Sequence, residues 1–160
     1  AKKNGKVRLV IDARRSNCWF SKPKHVKLCT GGSLAELKLP PGKSLHVSHF
    51  DIQNACCAFQ LPMSLRRCSA VRRLLRTTWV CSTSRVDAGV VFFPRLRMLP
   101  MSFSHALWVC QEVHRRILSR AGMPDSHMVC DRQATPSLDP WAFTVYVDYA
   151  IFFGTDVKEV

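Results

Sequence analysis

The chain has 160 residues, 47% of them hydrophobic, and carries 24 Lys and Arg against 11 Asp and Glu for a formal charge of +13. That apolar content excludes a disordered polybasic tail, and no apolar run approaches the ~20 residues of a membrane helix. The charge is uneven, with 16 basic and 3 acidic side chains in residues 1–80 and 8 of each in residues 81–160.

In chain order, Asn4-Gly5 between basic residues signals a hairpin. It places Lys2 and Lys3 beside a strand over residues 6–12. Residues 13–32, polar and basic with Pro23 and Gly31-Gly32, read as loop. Ser33 and Glu36 form a capping-box pattern that opens a short helix, ended by Pro40-Pro41-Gly42. Residues 45–51 alternate apolar and polar, as in a half-buried strand, with Asp51 at its C-terminal end. Residues 64–89 have no clear period and crowd Arg66, Arg67, Arg72, Arg73 and Arg76 together. Residues 90–93 read as a buried strand. The strongest helix follows, capped by Ser102 or Ser104. Its apolar stripe is Ala106, Val109, Cys110, Val113, Ile117 and Ala121, widened by Leu107 and Leu118. Arg115, Arg116 and Arg120 complement its dipole, and Gly122 and Pro124 stop it. After a loop over 124–140, two β-rich runs, 142–147 and 150–154, are separated only by Asp148-Tyr149. They predict a tight hairpin with Asp148 exposed at its tip. Locally paired strands with one long helix predict an α+β domain, an antiparallel sheet backed by that helix.

No apolar stretch that could serve as a signal peptide follows the basic start. The lack of an initiator Met, and the apolar run shortly before Val160, lead us to expect a piece of a longer protein.

Eight Cys and six His raise the question of zinc or disulfides. No C-x-x-C pair exists, and adjacent Cys56 and Cys57 suit one tetrahedral ion poorly. The best set is Cys18, Cys29, His46 and His49, but residues three apart on a strand face opposite sides. The expected role of the cysteines is that of small buried apolar residues.

Two carboxylates stand out by position. Aspartate is depleted in strands, yet Asp51 ends an apolar strand and Asp148 sits on an apolar hairpin. Strand termination and turn chemistry are the bland explanations. Taken together, a strand end and a hairpin tip on adjacent antiparallel strands can bring two hard-oxygen ligands together for Mg²⁺. Two such ions clamp the attacking and leaving oxygens of a phosphoryl displacement, and a basic half would meet the phosphates.

At these residues the chain resembles a family, the reverse transcriptases of retroelements, over Lys2 to about Gly154 apart from 64–89. Lys3-Asn4-Gly5-Lys6-Val7-Arg8, then Asp12, Arg14 and Asn17, resembles the fingers hairpin and the segment after it. Asp51-Ile52-Gln53-Asn54-Ala55-Cys56-Cys57 with Phe59-Gln60-Leu61-Pro62 resembles the first catalytic motif. Leu99-Pro100-Met101-Ser102-Phe103 resembles the motif that contacts template and nucleotide, and Tyr146-Val147-Asp148-Tyr149 resembles the Tyr-x-Asp-Asp hairpin. The resemblance implies one partial domain over 1–160, fingers-like in 1–44 and mainly palm-like in 45–160, with 64–89 divergent and thumb and RNase H absent. It implies an RNA-directed DNA polymerase in which a primer 3′-hydroxyl attacks the α-phosphate of a dNTP. Asp51, Asp148 and the Ile52 carbonyl would hold two Mg²⁺. Lys3, Arg8, Cys56 and Met101 would meet the nucleotide, and Arg14, Ser102 and Tyr146 the RNA template and DNA primer. No membrane partner is implied, and the setting would be intracellular, nuclear or cytoplasmic.

The departures from the pattern carry their own implications. Tyr149 stands where a second Asp is usual, and a phenol of pKa ~10 is a poor Mg²⁺ ligand, so metal binding and activity should be weakened. Cys56 replaces a ring that packs on the sugar, so ribonucleotides should be excluded poorly. Ser102 replaces a Gly and Leu107 a Pro. Residues 64–89 read as a frameshifted patch in a decaying copy. The alternatives are a non-catalytic, basic nucleic-acid-binding remnant and, more narrowly, an RNA-directed RNA polymerase.

Overall fold

A computed structural model describes residues 11–70, 93–158 and 160. The expected N-terminal hairpin and most of 64–89 lie outside the described residues. In chain order the elements are α1 (Arg14–Asn17), α2 (Gly31–Ala35), β1 (His46–Asp51), α3 (Ala55–Ala58), α4 (Met63–Arg66), α5 (Ala106–Arg120), β2 (Trp141–Tyr146) and β3 (Tyr149–Gly154). Short 3₁₀ turns lie at Arg67–Ser69 and Asp125–His127. The chain divides into two compact units, Ala1–Ser21 with Cys56–Phe103 and Lys22–Ala55 with Ser104–Val160.

The second unit is a mixed helix-and-strand layer structure. Its three strands form an antiparallel sheet in the order β1-β3-β2. Phe50 pairs with Ala150 and Ala150 with Val145, and Phe152 pairs with Phe143. Strand alternation therefore places Phe50, Ala150, Phe152, Phe143 and Val145 on one face. Leu118 of α5 packs on that face with Phe143, Val145 and Ala150, joined by Met128 and Cys130. Ala142 and Phe153, on the opposite face, pack with Val129 and Leu138 and with half-buried Cys29, Leu37 and Ile151. Helix α5 thus backs the sheet, as expected of the one long helix. His46 and His49 fall on opposite faces of β1, His49 beside Tyr149 with ring centroids 5.3 Å apart. No helix among the described residues is long and apolar enough to cross a membrane.

Several boundaries differ from the sequence reading. The short helix opens at Gly31, two residues before Ser33. Thr30 caps it, accepting a hydrogen bond from the Ser33 amide at 3.2 Å. Gly31-Gly32 occupy its first turn, and two glycines hide a helix start because their intrinsic propensity is poor. Neither Ser102 nor Ser104 caps α5. His105 precedes it without a side-chain cap, and the Ser104 hydroxyl instead meets the His105 ring at 3.1 Å. Leu107 and Ile117 are exposed on α5, as is Ala121 just beyond it, whereas Gln111 and His114 are buried at 5% and 2% exposure. The hairpin turn is Val147-Asp148 rather than Asp148-Tyr149, because Tyr149 pairs with both Asp51 and Tyr146 and so belongs to β3. Asp148 is half-buried rather than exposed. Residues 90–92 of the expected buried strand lie outside the described residues, and Phe93 is 57% exposed and in no strand. Among the described cysteines burial holds only for Cys110 and Cys130, while Cys18, Cys57 and Cys68 are exposed.

The first unit, among its described residues, is built on two antiparallel bridges, Gln60–Met98 and Ala70–Arg95. The Leu61 amide donates to the Arg97 carbonyl at 2.8 Å and the Leu99 amide to the Phe59 carbonyl at 3.0 Å. Leu61, Leu99 and Ala13 are buried there, and Phe20 meets Phe103 edge to face at 4.9 Å.

Candidate functional site: the hairpin end of the sheet

Three residues stand abreast at one end of the sheet. Asp51 pairs with Tyr149, and Tyr149 pairs with Tyr146. They share the face opposite α5, with Asp51 exposed and Tyr146 52% exposed. One step further out, the Ile52 amide donates to the Asp148 carbonyl at 2.8 Å. The backbone thus seats Asp148, in the hairpin turn, one pairing step beyond Asp51 at the end of β1. Beyond Asp51 the chain turns through Asn54 at φ 55°, a conformation asparagine tolerates, and the Ala55 amide donates to the Ile52 carbonyl at 3.2 Å. A carbonyl has two lone pairs, so that bond leaves the Ile52 oxygen one more.

The hairpin itself is strained. Val147 has φ 61°, a left-handed conformation that is an outlier for a β-branched residue and costs about 1–3 kcal/mol. Two side chains of α5 hold it. Gln111 Oε1 accepts from the Val147 amide at 2.7 Å, and its Nε2 donates to the Val145 carbonyl at 2.9 Å and the Lys27 carbonyl at 3.2 Å. His114 Nδ1 lies 3.0 Å from the Val147 carbonyl, so that nitrogen carries the proton and donates. Sequence reasoning passed over both residues. For His114 the signal was present: Ala106, Cys110, His114 and Leu118 recur every four residues, and a polar side chain on that buried line needs a partner.

Four expected site residues, Asp51, Ile52, Tyr146 and Asp148, therefore meet at one place. Lys3 and Arg8 lie outside the described residues. Arg14, Cys56, Met101 and Ser102 belong to the first unit. There Met101 is exposed, Cys56 is half-buried in α3, and the Ser102 carbonyl accepts from Asn17 Nδ2 at 3.0 Å. Arg14 is turned onto Asp12, with Nη2 2.7 Å from one carboxylate oxygen and Nε 3.0 Å from the other. The Arg14 side chain, and then its amide, hold the Asp12 carboxyl down at about 2, and the carboxylate in turn raises Arg14. Among the described residues no group of three or more His, Cys, Asp or Glu comes together as a metal cluster.

No protein-family model, curated protein or solved structure matches the chain.

Proposed function

We propose that this chain is a partial fingers and palm of a reverse transcriptase of a retroelement, a nucleotidyltransferase whose activity is weakened in this copy. The observation that carries the reading is the placing of Asp51, at the end of β1, one pairing step from Asp148 of the hairpin turn, joined through the Ile52–Asp148 hydrogen bond. The hairpin Tyr146-Val147-Asp148-Tyr149 and its backing helix α5 support it as palm-like elements.

The donor set fits a hard divalent cation. Mg²⁺ takes oxygen ligands and is usually bound by one or two carboxylates plus substrate phosphates. Asp51 and Asp148 would supply two such groups, with the remaining lone pair of the Ile52 carbonyl as a third oxygen. Tyr149 adds a neutral phenol to this set rather than a third negative charge. When bound, such an ion would neutralise triphosphate charge and ease ionisation of an attacking hydroxyl. The chain's own residues would orient the reactants. Exposed Tyr146, abreast of Asp51, offers a ring on which a base or sugar can rest. In the reaction the primer 3′-oxygen bonds to the α-phosphorus of the dNTP and pyrophosphate leaves.

Primer extension on an RNA template with Mg²⁺ tests the reading. We expect little extension by the natural chain and at least ~10-fold more by Tyr149→Asp, given that each 1.36 kcal/mol of barrier is tenfold in rate. Absence of extension in both, with the fold intact and primer–template bound, would count against it.

A second reading, a non-catalytic nucleic-acid binder, has its own observation. The described residues of the first unit carry Arg14, Arg15, Arg66, Arg67, Arg95 and Arg97 against one acid, Asp12.

A further inference from the structure

We infer that Gln111 and His114 are positioning residues that set the placement of Asp148 against Asp51, a role that rests on the cation reading above. Both backbone polar groups of Val147 are taken by side chains of α5, the amide by Gln111 and the carbonyl by His114. Val147 directly precedes Asp148, so its φ and ψ set the direction from which the aspartate leaves the hairpin. A valine at φ 61° holds that direction only while its surroundings over-determine it. The amide of Gln111 provides this at both ends, since Nε2 is anchored on Val145 within β2 and on Lys27.

The same helix reaches the other aspartate. The His114 ring lies 5.6 Å from the ring of Phe50, and Phe50 directly precedes Asp51. His114 thus touches the neighbour of each carboxylate residue. With its Nδ1 proton donated to Val147, its Nε2 is buried and has no hydrogen-bond partner among the described residues. An apolar side chain would leave no such orphan. The imidazole is placed for what Nδ1 holds. Glutamine and histidine three apart on one buried helix face form a single clamp on the hairpin.

The experiment uses the full ¹⁵N-labelled chain as wild type, Gln111→Leu, Val147→Gly and the double variant, with Mn²⁺ as the probe. Exchange of the Val147 amide reads the clamp, and paramagnetic broadening of the Asp51 and Asp148 amides reads the cation site. In Gln111→Leu we expect Val147 exchange to rise at least ~10-fold and apparent Mn²⁺ affinity to fall about 5-fold. Val147→Gly allows the positive φ without strain, so in that background the Gln111→Leu loss should shrink below about 2-fold. Gln111→Met, nearer in shape, carries the same expectations if Gln111→Leu does not fold. Unchanged Val147 exchange overturns the clamp. A lowered melting temperature with unchanged Mn²⁺ affinity, or an equal loss in both backgrounds, overturns the positioning role. Absence of broadening in the wild type overturns the cation reading instead, and the exchange measurement still decides the clamp.

Discussion

Asp12 turns an expected nucleic-acid contact back onto the chain. Its carboxylate takes both the side chain and the amide of Arg14, and these hydrogen bonds lower its pKa to about 2. The unfolded value is about 3.9, so the pairing stabilises the fold above that pH, and the contribution disappears as pH falls towards 2. NMR titration of the Asp12 carboxyl should give a midpoint about 2 in the natural chain and near ~3.9 in Arg14→Ala. A wild-type midpoint near the higher value would remove the pairing. Any phosphate that Arg14 meets must compete with this carboxylate. The cysteines divide in the same residue-by-residue way. Burial pushes the Cys29 and Cys130 thiols up, whereas Cys18, Cys57 and Cys68 stand exposed. Because the thiolate is the nucleophile, mass mapping of brief alkylation at pH 8 should find the exposed three modified first and Cys130 at least ~10-fold slower.

At the scale of elements, helix α5 shows what the sequence could and could not reveal. Its existence and its stop at Gly122, which has φ 96°, follow from periodicity and a glycine free to turn left-handed. Its buried face does not follow from hydrophobicity alone. Leu118 is buried against Phe143, whereas Ile117, equally apolar, is exposed. Leu118→Ala should therefore cost about 2–4 kcal/mol in denaturant unfolding and Ile117→Ala within about 0.5 kcal/mol. Equal costs would show that the helix sits in another rotation. Its polar side is laced by Glu112, which accepts from Arg115 at 3.0 Å and Arg116 at 2.9 Å, while Arg115 also pairs with Asp125. Hydrogen bonding from Arg115 first, then Arg116, lowers the Glu112 pKa. Its contribution is present above the unfolded value of about 4.3 and is lost as pH falls through the lower folded value. The hairpin was legible as two β-rich runs, yet the turn was misplaced by one residue. Turn chemistry favours Asp and disfavours a left-handed Val, and what decides the turn here is Gln111, a tertiary contact 36 residues away.

At the scale of the whole molecule, the uneven charge of the sequence divides by unit as well as by half. The first unit's described residues hold six arginines and a single, already paired, aspartate. The second unit's described residues hold nearly balanced charges, and the two site carboxylates are among them. Arg95 and Arg97 are exposed and alternate with half-buried Pro94, Leu96 and Met98, so they stand on one side of an extended segment. Exposed Arg67 lies in the 3₁₀ turn that precedes Ala70, the bridge partner of Arg95. A polyanion that meets this unit releases about 0.7–0.9 counterions per phosphate contacted. Binding of the full chain to an RNA–DNA hybrid, followed against salt, should therefore show a steep negative slope of log affinity on log salt. Replacing Arg67, Arg95 and Arg97 together by Gln should flatten it by about 2–3. The same replacements should leave the melting temperature nearly unchanged, since exposed substitutions stay within about 0.5 kcal/mol each. A slope unaltered by all three would move the phosphate contacts off this unit. A flat wild-type dependence would withdraw the nucleic-acid partner from both readings of the protein.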